Sequence, residues 1–215
     1  MEGLVQTITV YAIPVLFAIT LHEAAHGYVA RIFGDSTAFV AGRITLNPLK
    51  HIDPVGTIAV PIVILLVSKL SGGAGFLFGW AKPVPVSFGN LRRPKQDMVW
   101  VAGAGPGANL AMAVLWAIFL KLQLAMGLDE AFFLEMAKAG IMVNIGLMAL
   151  NLLPVPPLDG GRIAVGLLPG KLAWQFARLE PYGLFIVVLL MATNTIGFFL
   201  VPFYRFGLAI VDLFV

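Results

Sequence analysis

The sequence predicts a polytopic α-helical membrane protein, and three observations carry that prediction. Of the 215 residues, 60 % are hydrophobic and 12 % are charged. A soluble domain of this size could not bury so much apolar surface; the mean hydropathy is +0.94. Four apolar runs, about 4–33, 99–122, 132–153 and 182–203, approach or exceed the roughly 20 helical residues that a crossing takes. Lys and Arg gather in the stretches between those runs, where they set orientation in a bilayer. The length suits one domain over 1–215. A net charge of +3, spread over these loops, argues for topology signals and against nucleic acid as a partner. The chain has no cysteine, so disulfides and thiolate metal ligands are excluded.

The first run begins Met1-Glu2-Gly3-Leu4 without a basic leader, so it is expected to be retained and not cleaved as a signal peptide. Pro14 is an expected kink. Its last third holds Leu21-His22-Glu23-Ala24-Ala25-His26-Gly27. A turn-rich stretch, 34–37, leads into 38–46, where β-branched residues suggest short extended structure. Pro48 and Pro54 break the loop that follows. Residues 55–67 are apolar but short for a crossing, and glycines at 72, 73 and 75 interrupt the chain again. A re-entrant or short hairpin over 55–79 is therefore expected. Lys82-Pro83-Val84-Pro85-Val86 reads as an edge strand or extended loop, since proline cannot serve a central strand. The second long run is entered through Ala104-Gly105-Pro106-Gly107-Ala108-Asn109, small residues that let helices approach closely. The third leads into Asn151-Leu152-Leu153-Pro154-Val155-Pro156-Pro157-Leu158-Asp159-Gly160-Gly161. One or more C-terminal spans complete the chain.

Charge sets the expected orientation. Segments 31–54, 80–97 and 154–181 hold ten of the fourteen Lys and Arg residues, and the acidic link 123–131 holds none. The basic segments are expected on the cytoplasmic side. The first and third runs then both travel inward, and His22, His26 and Asp159 reach one depth from separate stretches.

The H-E-x-x-H pattern carries the chemistry. Histidines four apart share a helix face and can hold one Zn²⁺. Glu23, on the adjoining surface, can act on water beside the metal. In a soluble helix these groups could form a solvated face; in an apolar span they cost several kcal/mol, about 3 by insertion scales, and mark a working site. A catalytic zinc takes three protein ligands. The candidates for the third are His51, Asp53, Asp159 and Glu180. Asp159 is preferred because the prolines before it enforce irregular backbone and Gly160-Gly161 permits a sharp turn; irregular backbone at membrane depth lines a cavity or is buried.

These residues resemble the site-2 protease family of intramembrane zinc metalloproteases. The matching pieces are His22-Glu23-Ala24-Ala25-His26, the 104–109 span entry and the 151–161 stretch; 42–48 and 79–86 resemble its short prokaryotic members. The resemblance implies a core of three transmembrane helices and one Zn²⁺ per chain, on His22, His26 and Asp159. It implies Glu23 as general acid/base, Asn151 and Asn109 with Pro154 and Pro156 in substrate handling, and membrane-associated β structure near 38–46 and 80–88. Transmembrane proteins would be the substrates and a prokaryotic cell membrane the location, with the active site towards the cytoplasm. No stretch is long enough for a PDZ or CBS domain, so regulation of that kind is expected to be absent or to come from a partner, the candidates for partners being a regulatory membrane protein or a homo-oligomer. The rival is a non-proteolytic metal-binding or metal-transport protein; such transporters often show internal repeats, and none is visible here.

Overall fold

The computed structural model describes residues 2–60, 63 and 81–214. Its first helix, α1 (Glu2–Ile32), is 31 residues long and keeps Pro14 inside it, fully buried. A helix of that length measures about 46 Å, more than the hydrocarbon thickness of a bilayer. After a short turn of helix, α2 (Thr37–Val40), the next long helices are α3 (Pro94–Ala125) and α4 (Ala131–Asn151). Pro94 opens α3 where its missing N–H is no loss, and the Asp97 carboxylate accepts the Arg93 N–H at 2.7 Å.

These three long helices pack against one another. Ala18 of α1, Asn109 of α3 and Asn144 of α4 meet at one level, while Val10, Trp116, Met136 and Ala139 meet at another. So α1 and α4 run in one direction and α3 in the other. Alanines at 113 and 117 let α3 approach Ile145 and Met148 of α4, and Val211 closes that cluster. Small residues play this part in membrane bundles because close packing, not apolar transfer, holds helices together in lipid.

The chain continues through α5 (Asp159–Leu167), α6 (Gly170–Ala177), α7 (Gly183–Ala192) and α8 (Ile196–Val211). Among the described residues, four stretches are long and apolar enough to cross a membrane: Val5–Ile32, Pro94–Ala125, Ala131–Asn151 and Gly170–Ala192. The protein is thus a helical membrane protein of the multi-pass kind.

Three expectations need revision. The apolar run 182–203 is not one helix, because a turn at Thr193 and Asn194 divides α7 from α8. Asn194 takes φ 56°, a left-handed conformation that asparagine tolerates better than most residues. Residues 38–46 are not extended: Asp35 captures the Thr37 N–H at 3.0 Å and its hydroxyl at 2.5 Å. That capture starts the helical turn α2, and local side-chain bonding outweighs a weak β propensity. Residues 81–87 are irregular, and no β-strand occurs among the described residues. Most of the expected 55–79 hairpin lies outside the described residues; Pro54–Ala59 forms a π-helical turn.

Candidate metal centre

Helix α1 turns His22 and His26 toward α3, and the loop after α4 delivers Asp159 as the first residue of α5. The three are 7, 9 and 7 % exposed. Asp159 Oδ2 lies 3.2 Å from His22 Nε2 and 3.3 Å from His26 Nε2, and the two Nε2 atoms are 3.0 Å apart. Three ligand atoms on a tetrahedral ion with bonds of about 2 Å stand about 3.3 Å from one another, so this triangle has the size a zinc ion requires.

The chemistry of the donors points the same way. His26 Nδ1 sits 2.7 Å from the Val101 carbonyl, which can only accept, so Nδ1 carries the proton. In the neutral ring Nε2 is then a bare lone pair, facing another imidazole nitrogen and a carboxylate oxygen. Asp159 Oδ2 is buried with no hydrogen-bond partner. Buried acceptors gathered without a donor are costly, and a cation among them removes that cost. Opposite, at Gly105 of α3, a Cβ would stand 2.4 Å from His26 Nε2 and 2.6 Å from His22 Nε2. Only glycine leaves that space free. His22, His26 and Asp159 therefore fit a bound zinc ion.

The partners around the triangle are equally defined. His22 Nδ1 lies 2.6 Å from Asn109 Oδ1, and Asn109 is fully buried. Glu23, half-buried, accepts the Val84 N–H on Oε2 at 2.8 Å, so an irregular segment lies directly over the carboxylate. Gly160 and Gly161 do not form the expected turn. They lie in the first turn of α5, where a Cβ would strike Leu152 and Pro156 backbone at 2.2 Å; their role is close approach.

The remaining candidates scatter. Asn151, half-buried, donates from Nδ2 to the Leu147 carbonyl at 3.0 Å. Pro154 is exposed and Pro156 buried. Asp53 caps the turn after it, accepting from Val55 and Gly56 N–H at 2.9 and 2.7 Å. His51, at the end of the 3-10 turn Pro48–His51, is 2 % exposed and lies 3.0 Å through Nε2 from the Thr45 carbonyl. None of these, nor Glu180, joins the triangle. Asn144, fully buried and 3.0 Å from Asn109, was not singled out from the sequence. Its signal was present: a lone carboxamide amid apolar residues at membrane depth.

Two buried imidazoles of a long apolar helix and a carboxylate at the start of α5, gathered where one cation could sit, define the class: a helical membrane protein with a candidate metal site. Known proteins of the same kind narrow it. The chain is 38 % identical over 204 residues to "Putative zinc metalloprotease YwhC" of Bacillus subtilis, covering 91 % of this chain and 85 % of that protein. It is 33 % identical over 191 residues to "Putative zinc metalloprotease Rip2" of Mycolicibacterium smegmatis, covering 85 % of this chain and 66 % of the relative. Against the Mycobacterium tuberculosis H37Rv protein of that name the identity is 31 % over 200 residues, covering 90 % of this chain and 71 % of the relative. No family model matches, and no solved structure does. The chain belongs to the site-2 protease family of zinc metalloproteases.

Proposed function

We propose that this protein is an intramembrane zinc metalloprotease that hydrolyses peptide bonds in or near transmembrane helices of membrane-protein substrates. The single observation that carries the reading is the convergence of His22 and His26, on a helix apolar enough to lie in a bilayer, with Asp159 at the start of α5, and Glu23 on the same turn as the histidines. Zinc held by those three residues supplies a Lewis acid and lowers the pKa of a nearby water. Glu23 accepts the proton of the attacking water and returns it to the leaving amide nitrogen. His22 and His26 would hold the ion through Nε2, and Asp159 would contribute a carboxylate oxygen.

A transmembrane helix hides its carbonyls in hydrogen bonds, so the substrate must unwind locally. Strand addition of an extended peptide along 81–87 would draw at most on the Ala81 and Val86 N–H groups, since Pro83 and Pro85 have none and Lys82, Val84 and Ser87 give theirs to His51, Glu23 and Asp35. Asn151 and Pro154 border the loop that carries Asp159 and are assigned to the substrate side. The site faces the cytoplasm in this reading, by the charge of the flanking segments, and a bacterial cell membrane fits the relatives' sources.

The test uses the full chain in detergent with a panel of single-span proteins, with and without a zinc chelator. We expect one zinc per chain, cleavage that the chelator stops, and a Glu23→Gln variant that retains zinc while cleavage falls by about 10²–10⁴ or more. Vesicle transport of zinc that survives Glu23→Gln, with no cleavage by the parent, would overturn the protease in favour of a transporter.

A further inference from the structure

The polarity of the hydrogen bonds behind His22 can be followed from fixed ends. Asn144 Nδ2 lies 2.8 Å from the Gly140 carbonyl, and a carbonyl only accepts, so the NH₂ end of Asn144 points there. Its Oδ1 is then the end 3.0 Å from Asn109 Nδ2. That Nδ2 also lies 3.2 Å from the Ala18 carbonyl, a second fixed acceptor that demands a donor. Asn109 therefore presents Oδ1 to His22 Nδ1 at 2.6 Å, and the imidazole must donate. Both carboxamides are fully buried.

We infer that Asn109 and Asn144 are positioning residues that lock His22 in the Nδ1–H tautomer and aim its bare Nε2 at the metal. The relay runs through three helices, from the α4 backbone to the α1 ligand. His26 obtains the same tautomer more simply, from the Val101 carbonyl. The two ligands thus present matching lone pairs by different means, and only the His22 arm can be altered by side-chain substitution. Asn109, expected from the sequence to handle substrate, acts instead on a ligand. The inference rests on the metal-centre reading proposed above and deepens it. Partners that orient a ligating imidazole typically change metal affinity by about 10–100-fold when removed.

The experiment measures zinc affinity of the full chain in detergent by competition with a chromophoric chelator, beside ¹⁵N NMR of the histidine side chains in the zinc-free wild type. We expect Asn109→Leu to bind zinc about 10–100-fold more weakly. Asn109→Asp, which still accepts from Nδ1–H but turns its second oxygen on the Ala18 and Asn144 acceptors, should recover only part of that loss, and Asn144→Leu should lose a smaller part because the Ala18 carbonyl still orients Asn109. His22 should show protonated Nδ1 in the wild type. Wild-type affinity in both leucine variants, or an Nε2–H tautomer at His22, overturns the inference while leaving the metal site intact. A wild type that binds no zinc overturns the metal-centre reading itself, and the inference with it. Should Asn109→Leu not fold, the tautomer measurement and Asn109→Asp decide.

Discussion

Residues of α1, α3 and α4 form one wall of the site, and residues 81–92 form the other. In the first wall His22, His26 and their support sit on regular helix, Asp159 joins them from the start of α5, and buried side chains bond to one another at 2.6 and 3.0 Å and to the Ala18 carbonyl at 3.2 Å. In the second, irregular backbone is pinned at separated points: Lys82 N–H to the His51 carbonyl at 2.9 Å, Val84 N–H to Glu23 at 2.8 Å, Ser87 N–H to Asp35 at 2.6 Å and Arg92 N–H to the Phe33 carbonyl at 3.0 Å. Arg43 adds a bond to the Lys82 carbonyl at 2.8 Å. The metal depends on the first wall, and Glu23 touches both. Damage to the helical wall should therefore remove the metal, whereas damage to the irregular wall should leave the metal and impair turnover.

The largest effect is expected at Gly105. A Gly105→Ala methyl would stand 2.4 Å from His26 Nε2, on backbone that the α1 and α4 contacts hold in place. Zinc retention and cleavage should both fall to background, with an overpacking loss of about 1–3 kcal/mol in stability. Gly103 and Gly107, one turn-half away on the same helix, have open space where a Cβ would go, and alanine at either should retain zinc. Equal zinc contents in all three variants would break the distinction between the walls.

The two walls also differ in how far the sequence discloses them. Helix α1 and its ligands were legible because H-E-x-x-H is a local pattern, and a histidine pair in an apolar run has few uses. Asp159 was legible through its prolines, although the adjoining glycines serve close packing and not a turn. The role of Asn109 was not legible, since it depends on the Ala18 carbonyl and on Asn144, residues 91 and 35 positions away. The second wall was still less so. Its bonds run from side chains to backbone across long separations, and backbone N–H and C=O groups leave no trace in composition. Asp35 shows the difficulty: it stands in a turn-rich loop like any capping residue, yet it is fully buried and joins 37, 87 and 90.

Asp35 supplies the next two tests. Asp35→Ala removes the acceptor for Thr37, Ser87 and Asn90, and hydrogen bonds to a charged group contribute about 1.5–3 kcal/mol each. We expect limited proteolysis to cut the 81–93 segment at least tenfold faster, with zinc content unchanged and cleavage of substrate reduced. Loss of zinc along with the segment would merge the walls. The same residue predicts a pH dependence. Burial works against its charge, but the hydrogen bonds from Thr37, Ser87 and Asn90 outweigh it and hold the carboxyl below its ordinary value. Its contribution to stability is therefore present above the ordinary carboxylate range, near pH 4, and is lost as the pH falls further. Melting between pH 6 and about 3 should decline less steeply in Asp35→Asn than in the wild type. Parallel curves would remove Asp35 from the account of that loop.

The smallest change probes the contact between the walls. Gly27 closes the turn after His26, and a Cβ there would meet Ile44 and Val84 side chains at 3.0 Å and Ala38 at 3.1 Å. These are atoms of short side chains, Val84 on the irregular wall, Ala38 on α2 and Ile44 in the loop after it, able to yield by a few tenths of an ångström. Gly27→Ala should therefore cost only about 1 kcal/mol, at the lower end for overpacking, and should not disturb the imidazoles, which face α3. Its effect should fall on the Val84 N–H, which must shift relative to the Glu23 carboxylate it contacts at 2.8 Å. We expect full zinc content with turnover reduced several-fold, and a relaxing second change, Val84→Ala, that restores part of it. If Gly27→Ala turned over like the wild type, the Val84 contact would have no bearing on Glu23, and the irregular wall would serve only to hold the loop.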